Sequence, residues 1–500
     1  MTAYQTLERR FARINAIEDA AGILDWDSQT IMPAGAAPGR AEQLATLKVL
    51  AHELMTAPDM GDLLDRAAGE LAGGGSGDGW DLANLHEMRR RWIHATAVPA
   101  DLVEASSRAT SACEMAWRTA RPAADYAGLK PHLEEVLRLQ REIGAAKAQR
   151  LGLSVYDALL DQYEPGGSAA EIDALFADLG TFLPDFLAAA LEAQARRPAV
   201  VVPEGPFPAE TQRQVGLALM KAVGFDFERG RLDISLHPFC GGATGDIRIT
   251  TRYDEADFTS ALMGVLHETG HAMYELGRPA DWIAQPVGAA RGMSVHESQS
   301  LIVEMQACRS RAFLDYAAPI LRDAFDREGE AWDADNLYRL YTRVEPGFIR
   351  VDADEVTYPA HVILRYRLEK ALVAGEMTLD DLPGAWNEGM RALLGIVPPD
   401  DRLGCLQDIH WPAGAFGYFP TYTLGAMTAA QLFDAAKRAD ADVEPGLARG
   451  DFGPLMRWLR ANVHGQGSRY ATPELLTRAT GRPLDASVYK AHLTRRYLEA

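Results

Sequence analysis

The sequence predicts a nearly all-helical fold, and three observations carry that expectation. Ala, Leu, Glu and Arg recur at helical spacing through most of the chain. β-Branched runs are rare and short, confined to 199–202 and 246–253. No segment of 20–50 residues repeats, which argues against a solenoid. At 500 residues the chain exceeds what one hydrophobic core usually holds, so more than one packed region is expected.

Taken in order, the first twenty residues alternate charged and apolar side chains without the apolar block of a signal peptide. The run 73–79 (GGGSGDG) reads as a flexible surface turn between helices. Segments 129–151 and 169–195 have helical periodicity. The Pro-rich stretch 197–208 is the best candidate seam, dividing a helical N-terminal lobe (1–198) from a lobe (199–500) holding every strong chemical motif. A strand starting at Asp246 would bury Ile247 and Ile249 and turn Asp246, Arg248 and Thr250 to the other face. Its free edge could pair with an extended peptide. The stretch 409–433 lacks Asp, Glu, Lys and Arg but holds Pro412, Gly414, Gly417, Pro420 and Gly425. It is a poor membrane span and reads as a buried or cleft-lining loop.

Composition excludes several functions. Fifty Lys and Arg against seventy Asp and Glu give a net charge of −20, unlike the basic surplus of a nucleic-acid binder. Four cysteines without CxxC pairing fit reduced thiols in a soluble cytoplasmic protein. There is no nucleophile elbow, P-loop or dinucleotide fingerprint.

The strongest chemical signal is His267-Glu268-Thr269-Gly270-His271 inside the apolar-striped segment 260–276. Positions i and i+4 share one helix face, so both imidazoles can reach one metal ion, and Glu268 can approach a water there without ligating. Zinc would lower the pKa of that water and the carboxylate would take its proton. A helix with two ordinary histidines does not explain Gly270, which weakens a helix interior by about 1 kcal/mol relative to Ala. A close backbone approach would. The third ligand candidate is Glu297, in His296-Glu297-Ser298-Gln299-Ser300 at the start of a second helix running from Ser294 to about Ala312. Ser294 and Glu297 also form a capping-box pattern. A metal site short of one ligand favours the carboxylate as ligand, with His296 lining the cleft or supporting a ligand.

These motifs resemble those of the carboxypeptidase Taq family of metallocarboxypeptidases. Asp246-Ile247-Arg248-Ile249-Thr250, Ile349-Arg350-Val351-Asp352-Ala353-Asp354 and Gly404-Cys405-Leu406-Gln407-Asp408-Ile409-His410-Trp411 match it as well. So does the N-terminal Leu24-Asp25-Trp26-Asp27, with Met32-Pro33 and Arg40-Ala41-Glu42-Gln43 downstream.

The resemblance implies a two-lobed helical gluzincin fold with a small sheet near the active site and a long central groove. It further implies a homodimer and the release of C-terminal residues from peptides with broad specificity. Zinc, which cobalt can replace, would be held by His267, His271 and Glu297, with Glu268 as general base. On sequence alone Arg350 reads as part of an ion-pair network. An exopeptidase must bind a free carboxylate, which makes Arg350 the first candidate for that role and Arg248 the second. Related helical gluzincins place a His and a Tyr with about the spacing of His410 and Tyr422 to stabilise the oxyanion, with Tyr418 as a competitor for the phenol. Two rival functions remain: a zinc oligopeptidase cutting internal bonds, and a non-catalytic helical peptide-binding protein. The intact Glu268 speaks against the second.

Overall fold

A computed structural model describes residues 1–72 and 79–499. Residues 73–78 of the expected glycine-rich turn lie outside them. The N-terminal helices are α1 (Ala3–Thr30), α2 (Ala37–Met55), α3 (Met60–Ala72), α4 (Trp80–Thr96), α5 (Ala100–Ala123), α6 (Tyr126–Leu151), α7 (Val155–Leu160) and α8 (Ala169–Ala195). α9 (Ala209–Val223) leads into three short strands, β1 (Gly230–Ile234), β2 (Cys240–Ala243) and β3 (Asp246–Thr251). Then come α10 (Phe258–Gly277), α11 (Met293–Leu301), α12 (Arg311–Phe325), α13 (Ala334–Tyr341), α14 (Tyr358–Ala374) and α15 (Leu382–Leu394). The chain ends with α16 (Pro420–Ala439), α17 (Val443–Leu447), α18 (Gly453–Asn462), α19 (Thr472–Thr480) and α20 (Ala486–Thr494).

Local chemistry sets several of these boundaries. The Thr2 hydroxyl accepts from the Gln5 amide while Gln5 returns a bond to Thr2, a capping box that opens α1. Asp125 caps α6, and Gly152 closes it in the left-handed conformation. α8 covers the expected segment and is long and apolar enough to cross a bilayer. In this fold its Ile172, Phe176, Leu179 and Leu183 are core residues.

Three expectations need correction. Segment 199–202 is irregular chain, since Pro203 denies it a ladder donor. The stretch 409–433 is a loop only as far as Phe419. Pro420 then starts the twenty-residue α16, because a proline at the first helical positions lacks only a donor the helix does not use there. β3 has no free edge: it is the central strand, parallel to β1 and antiparallel to β2. Ile247 and Ile249 are buried as expected, and Thr250 and Thr251 are buried too.

One large core joins α5–α8 to α14–α16, and another surrounds β3, α9, α10 and α12. α16 serves both, giving Met427 and Ala430 to the first and Ala429, Leu432 and Phe433 to the second. A smaller cluster under α1, α3 and α4 includes Leu7, Phe11, Leu64 and Met88.

The C-terminal α20 is pinned by a buried carboxylate. Glu355, 4% exposed, accepts from Arg496 Nη1 at 2.8 Å and Tyr497 Oη at 3.0 Å, and meets His492 Nε2 at 2.8 Å. Burial works to raise its pKa, but Arg496 and His492 outweigh it and hold Glu355 well below the ordinary 4.5. A depressed carboxyl pKa adds stability above the ordinary range, and that stability is lost as pH falls from about 4.5 downward. Protection factors of amides in α20, corrected for the intrinsic exchange rate, are therefore expected to fall below about pH 4 and to hold steady between about pH 6 and 8.

Candidate metal centre

α10 begins at Asp257, whose carboxylate accepts from the Thr259 amide, and it carries the His267–His271 pair on one face. α11 packs against it so closely that a methyl at Gly270 would overlap the Gln299 carbonyl and lie 2.6 Å from Ser300 Cα. This approach is the packing reason for a glycine inside α10. α16 does the same from another side: a methyl at Gly425 would sit 2.8 Å from Cβ and Cγ of Glu297. Two glycines thus let two helices close on one carboxylate.

Among the described residues, His267, His271 and Glu297 bring ligand atoms within 4.8 Å of one another. Glu297 Oε2 is 3.8 Å from His267 Nε2 and 3.5 Å from His271 Nε2. Tetrahedral zinc with bonds of about 2.0–2.1 Å holds its ligands roughly 3.3 Å apart, so the carboxylate oxygen stands within a few tenths of an ångström of that spacing from each imidazole. The capping-box alternative is not realised. α11 starts one residue before Ser294, after Gly292, and the Ser294 amide donates to Glu164 Oε2 at 3.0 Å.

The imidazoles are oriented from behind. His267 Nδ1 meets Glu304 Oε2 at 2.8 Å, and Glu304 also accepts from Arg309 Nη2 at 2.5 Å. His271 Nδ1 lies 2.7 Å from His296 Nδ1, whose ring reaches Glu275 Oε1 through Nε2 at 2.9 Å. In both cases Nε2 is left for the metal. The sequence reading missed Glu304 and Glu275. Glu275 follows His271 by one helical turn, a visible signal. Glu304 falls seven residues after Glu297, but the helix expected through Ala312 changes there. Residues Ile302–Cys308 wind as a π-helix before a turn and α12.

His267, His271, His296, Glu297 and Glu304 line a cavity of about 640 Å³, which also takes in Glu268, Arg350, Tyr358, Tyr418 and Tyr422. Glu268 is 7% exposed, and burial, reinforced by the charge of Glu297 and opposed by His267, pushes it up to about 7. Arg350 is 5% exposed. Its Nε and Nη2 donate to Asp408 Oδ1 at 3.1 and 2.8 Å, and Nη1 reaches Tyr358 Oη at 3.4 Å. Burial works to raise Asp408, yet Arg365 and Arg350 hold it well below the carboxylate range. Arg365, Tyr358 and this double pairing of Asp408 were also missed, as contacts distant in sequence.

His410 stands behind Tyr422, with Nε2 3.1 Å from the phenol oxygen, and is not among the cavity-lining residues. Burial and the positive charge of Arg350 lower it to about 4, so the ring is neutral at pH 7 and offers no imidazolium. Arg248 is not brought to the cavity. Its guanidinium lies 4.5 Å from the Trp26 ring centroid and pairs with Asp246, while Arg231 covers the same ring at 5.3 Å. Trp26 and the neighbouring Arg40–Asp27 pair, at 2.7 Å, thereby fix α1 to α2 and the sheet.

The chain is similar to known proteins along nearly its whole length. The family model described as carboxypeptidase Taq (M32) metallopeptidase matches residues 6–497. Thermostable carboxypeptidase 1 of Thermus thermophilus is 40% identical over 99% of this chain and 98% of its own length. Carboxypeptidase 1 of Bacillus subtilis is 33% identical over 98% of each. Among solved structures, metallocarboxypeptidase 1 of Trypanosoma cruzi superposes with a TM-score of 0.97 at 40% identity, covering 99% of both chains. The M32 carboxypeptidase of Deinococcus radiodurans R1 gives 0.93 at 35%, again over 99% of both. With likeness of this extent in sequence and in fold, the chain belongs to the carboxypeptidase Taq (M32) family of metallopeptidases.

Proposed function

We infer that this metallocarboxypeptidase holds one zinc ion with His267, His271 and Glu297 and uses Glu268 as its general base. The observation that carries the reading is the convergence of two imidazole Nε2 atoms and one carboxylate oxygen in a cavity that also holds a buried, unligated glutamate and an arginine. Two imidazoles and a carboxylate suit zinc, and cobalt fits the same donors. When bound, such an ion supplies Lewis acidity, polarising a carbonyl and acidifying water.

The side chains do the rest. Glu268 takes a proton from the attacking water and returns it to the leaving amine nitrogen. Arg350 faces the substrate's terminal carboxylate with Nη1, since Asp408 occupies its other two nitrogens. Tyr422 donates its phenol hydrogen to the developing oxyanion, and the neutral His410 orients that phenol from behind. Arg248 stays in the packing of Trp26 against the sheet. Residues 1–198 form one wall of the groove and 199–500 the catalytic lobe. A homodimer acting on peptides in the cytoplasm completes the proposal, supported by the family likeness and by four free cysteines.

A pair of peptides tests the direction of cutting. An N-blocked peptide is expected to lose residues one at a time from its carboxyl end, while the same sequence C-amidated stays intact by mass spectrometry. Internal cleavage of the amidated peptide would instead make the protein an oligopeptidase.

A further inference from the structure

Away from the metal, α1, α2, α4 and α6 enclose a second cavity of about 500 Å³. In a chain of net charge −20, its lining is basic: Lys48, His52, Arg90, Arg91, His94 and Lys147 face a single acid, Glu18. Part of this charge is already matched. Arg91 pairs with Glu18 at 2.6 Å, and Arg90 with Glu87 at 2.8 Å. His94 gives Nε2 to Asp161 Oδ2 at 2.7 Å.

The remainder is not matched. Lys147 is 6% exposed, and its ammonium, which carries three donors, reaches one neutral acceptor, Gln162 Oε1 at 2.6 Å. His94 Nδ1 is buried without a hydrogen-bond partner. Lys48 and His52 stand exposed at the rim, and no ion pair joins either to an acid among the described residues. Burial lowers Lys147 to about 8, with Asp161 opposing, so the group still carries its proton at pH 7. A buried cation with vacant donors is costly unless something satisfies it.

We propose that this cavity is an anion subsite, in which Lys147, His52 and Lys48 hold a carboxylate or phosphate group. The anion has two sources, an acidic side chain of a bound peptide or a small free anion. The space beside this cavity and the metal cavity approach each other across one pair of aromatic rings. An adjoining space of about 440 Å³ shares His52, His94, Lys147 and Gln162 and extends to Tyr163. The Tyr163 ring meets Tyr418 edge-on at 4.9 Å, and Tyr418 lines the metal cavity. The peptide source rests on the carboxypeptidase reading; anion binding itself does not.

Calorimetry with inorganic phosphate on the intact protein tests the site without any assay of hydrolysis. Wild type is expected to bind and Lys147→Met to bind at least tenfold more weakly. A peptide series carrying Glu or Gln at successive positions upstream of the carboxyl end is expected to show a KM several-fold lower for Glu at one register, lost in Lys147→Met. A register preference assigns the site to peptide side chains, and phosphate binding without one assigns it to a free anion. Should Lys147→Met fail to fold by circular dichroism, the rim double variant Lys48→Gln, His52→Gln gives the same readouts. The proposal is overturned if wild type shows neither phosphate heat nor a register preference, or if the folded variant behaves as wild type in both.

Discussion

Glu268→Gln is expected to abolish hydrolysis while leaving the metal in place. The substitution keeps shape and volume, so the burial of residue 268 beside the ligands is preserved. It removes the carboxylate proposed to accept the water's proton and to hand it to the leaving amine. General acid–base groups contribute roughly 10²–10⁴ in rate, and the proposed mechanism assigns both transfers to this one residue, so a fall in kcat of about 10³ or more is expected. His267, His271 and Glu297 are untouched, and metal analysis is expected to find the wild-type content. A variant retaining wild-type kcat would remove Glu268 from the chemistry. One that lost its metal would show that residue 268 supports binding instead.

Gly270→Ala is expected to damage stability and metal affinity together. The added methyl meets backbone, at Gln299 and Ser300, rather than a flexible side chain that could swing aside. α10 and α11 must therefore separate, and overpacking of this kind costs about 1–3 kcal/mol. Glu297 rides on α11 and the two imidazoles on α10, so the same displacement opens the proposed ligand triangle. Denaturant unfolding of the metal-free protein isolates the packing cost. A competition titration with a chelator measures the loss of affinity, expected to be at least tenfold. Equal affinities would mean that α11 tilts without moving Glu297.

The local sequence made the grouping of His267, His271 and Glu297 legible, because i,i+4 imidazoles and a nearby carboxylate have few other uses. Gly270 was legible for the same reason: a residue that weakens its helix needs a neighbour to explain it. What stayed hidden depends on contacts between distant segments. Asp408 tied to Arg350 and Arg365, and Arg248 laid on Trp26, follow from packing that no spacing encodes. The sheet was only partly visible because β1 and β2 are five and four residues long. Their presence turned an expected edge strand into a central one. α16 was masked by its own glycines and proline. Gly425 is there for close approach to Glu297, and Pro420 sits where a helix accepts it.

Glu297 and Glu304 project from one continuous helical stretch that changes winding between them, the first proposed as a metal ligand and the second steering His267 from its far side. Each residue added or removed within that stretch turns everything beyond it by about 100°, so a one-residue change of length between them puts ligand and steering group out of phase. The wide winding at Ile302–Cys308 is part of that phasing. Changes of chain length that surface turns absorb would dismantle the centre here without altering any residue that touches the ion.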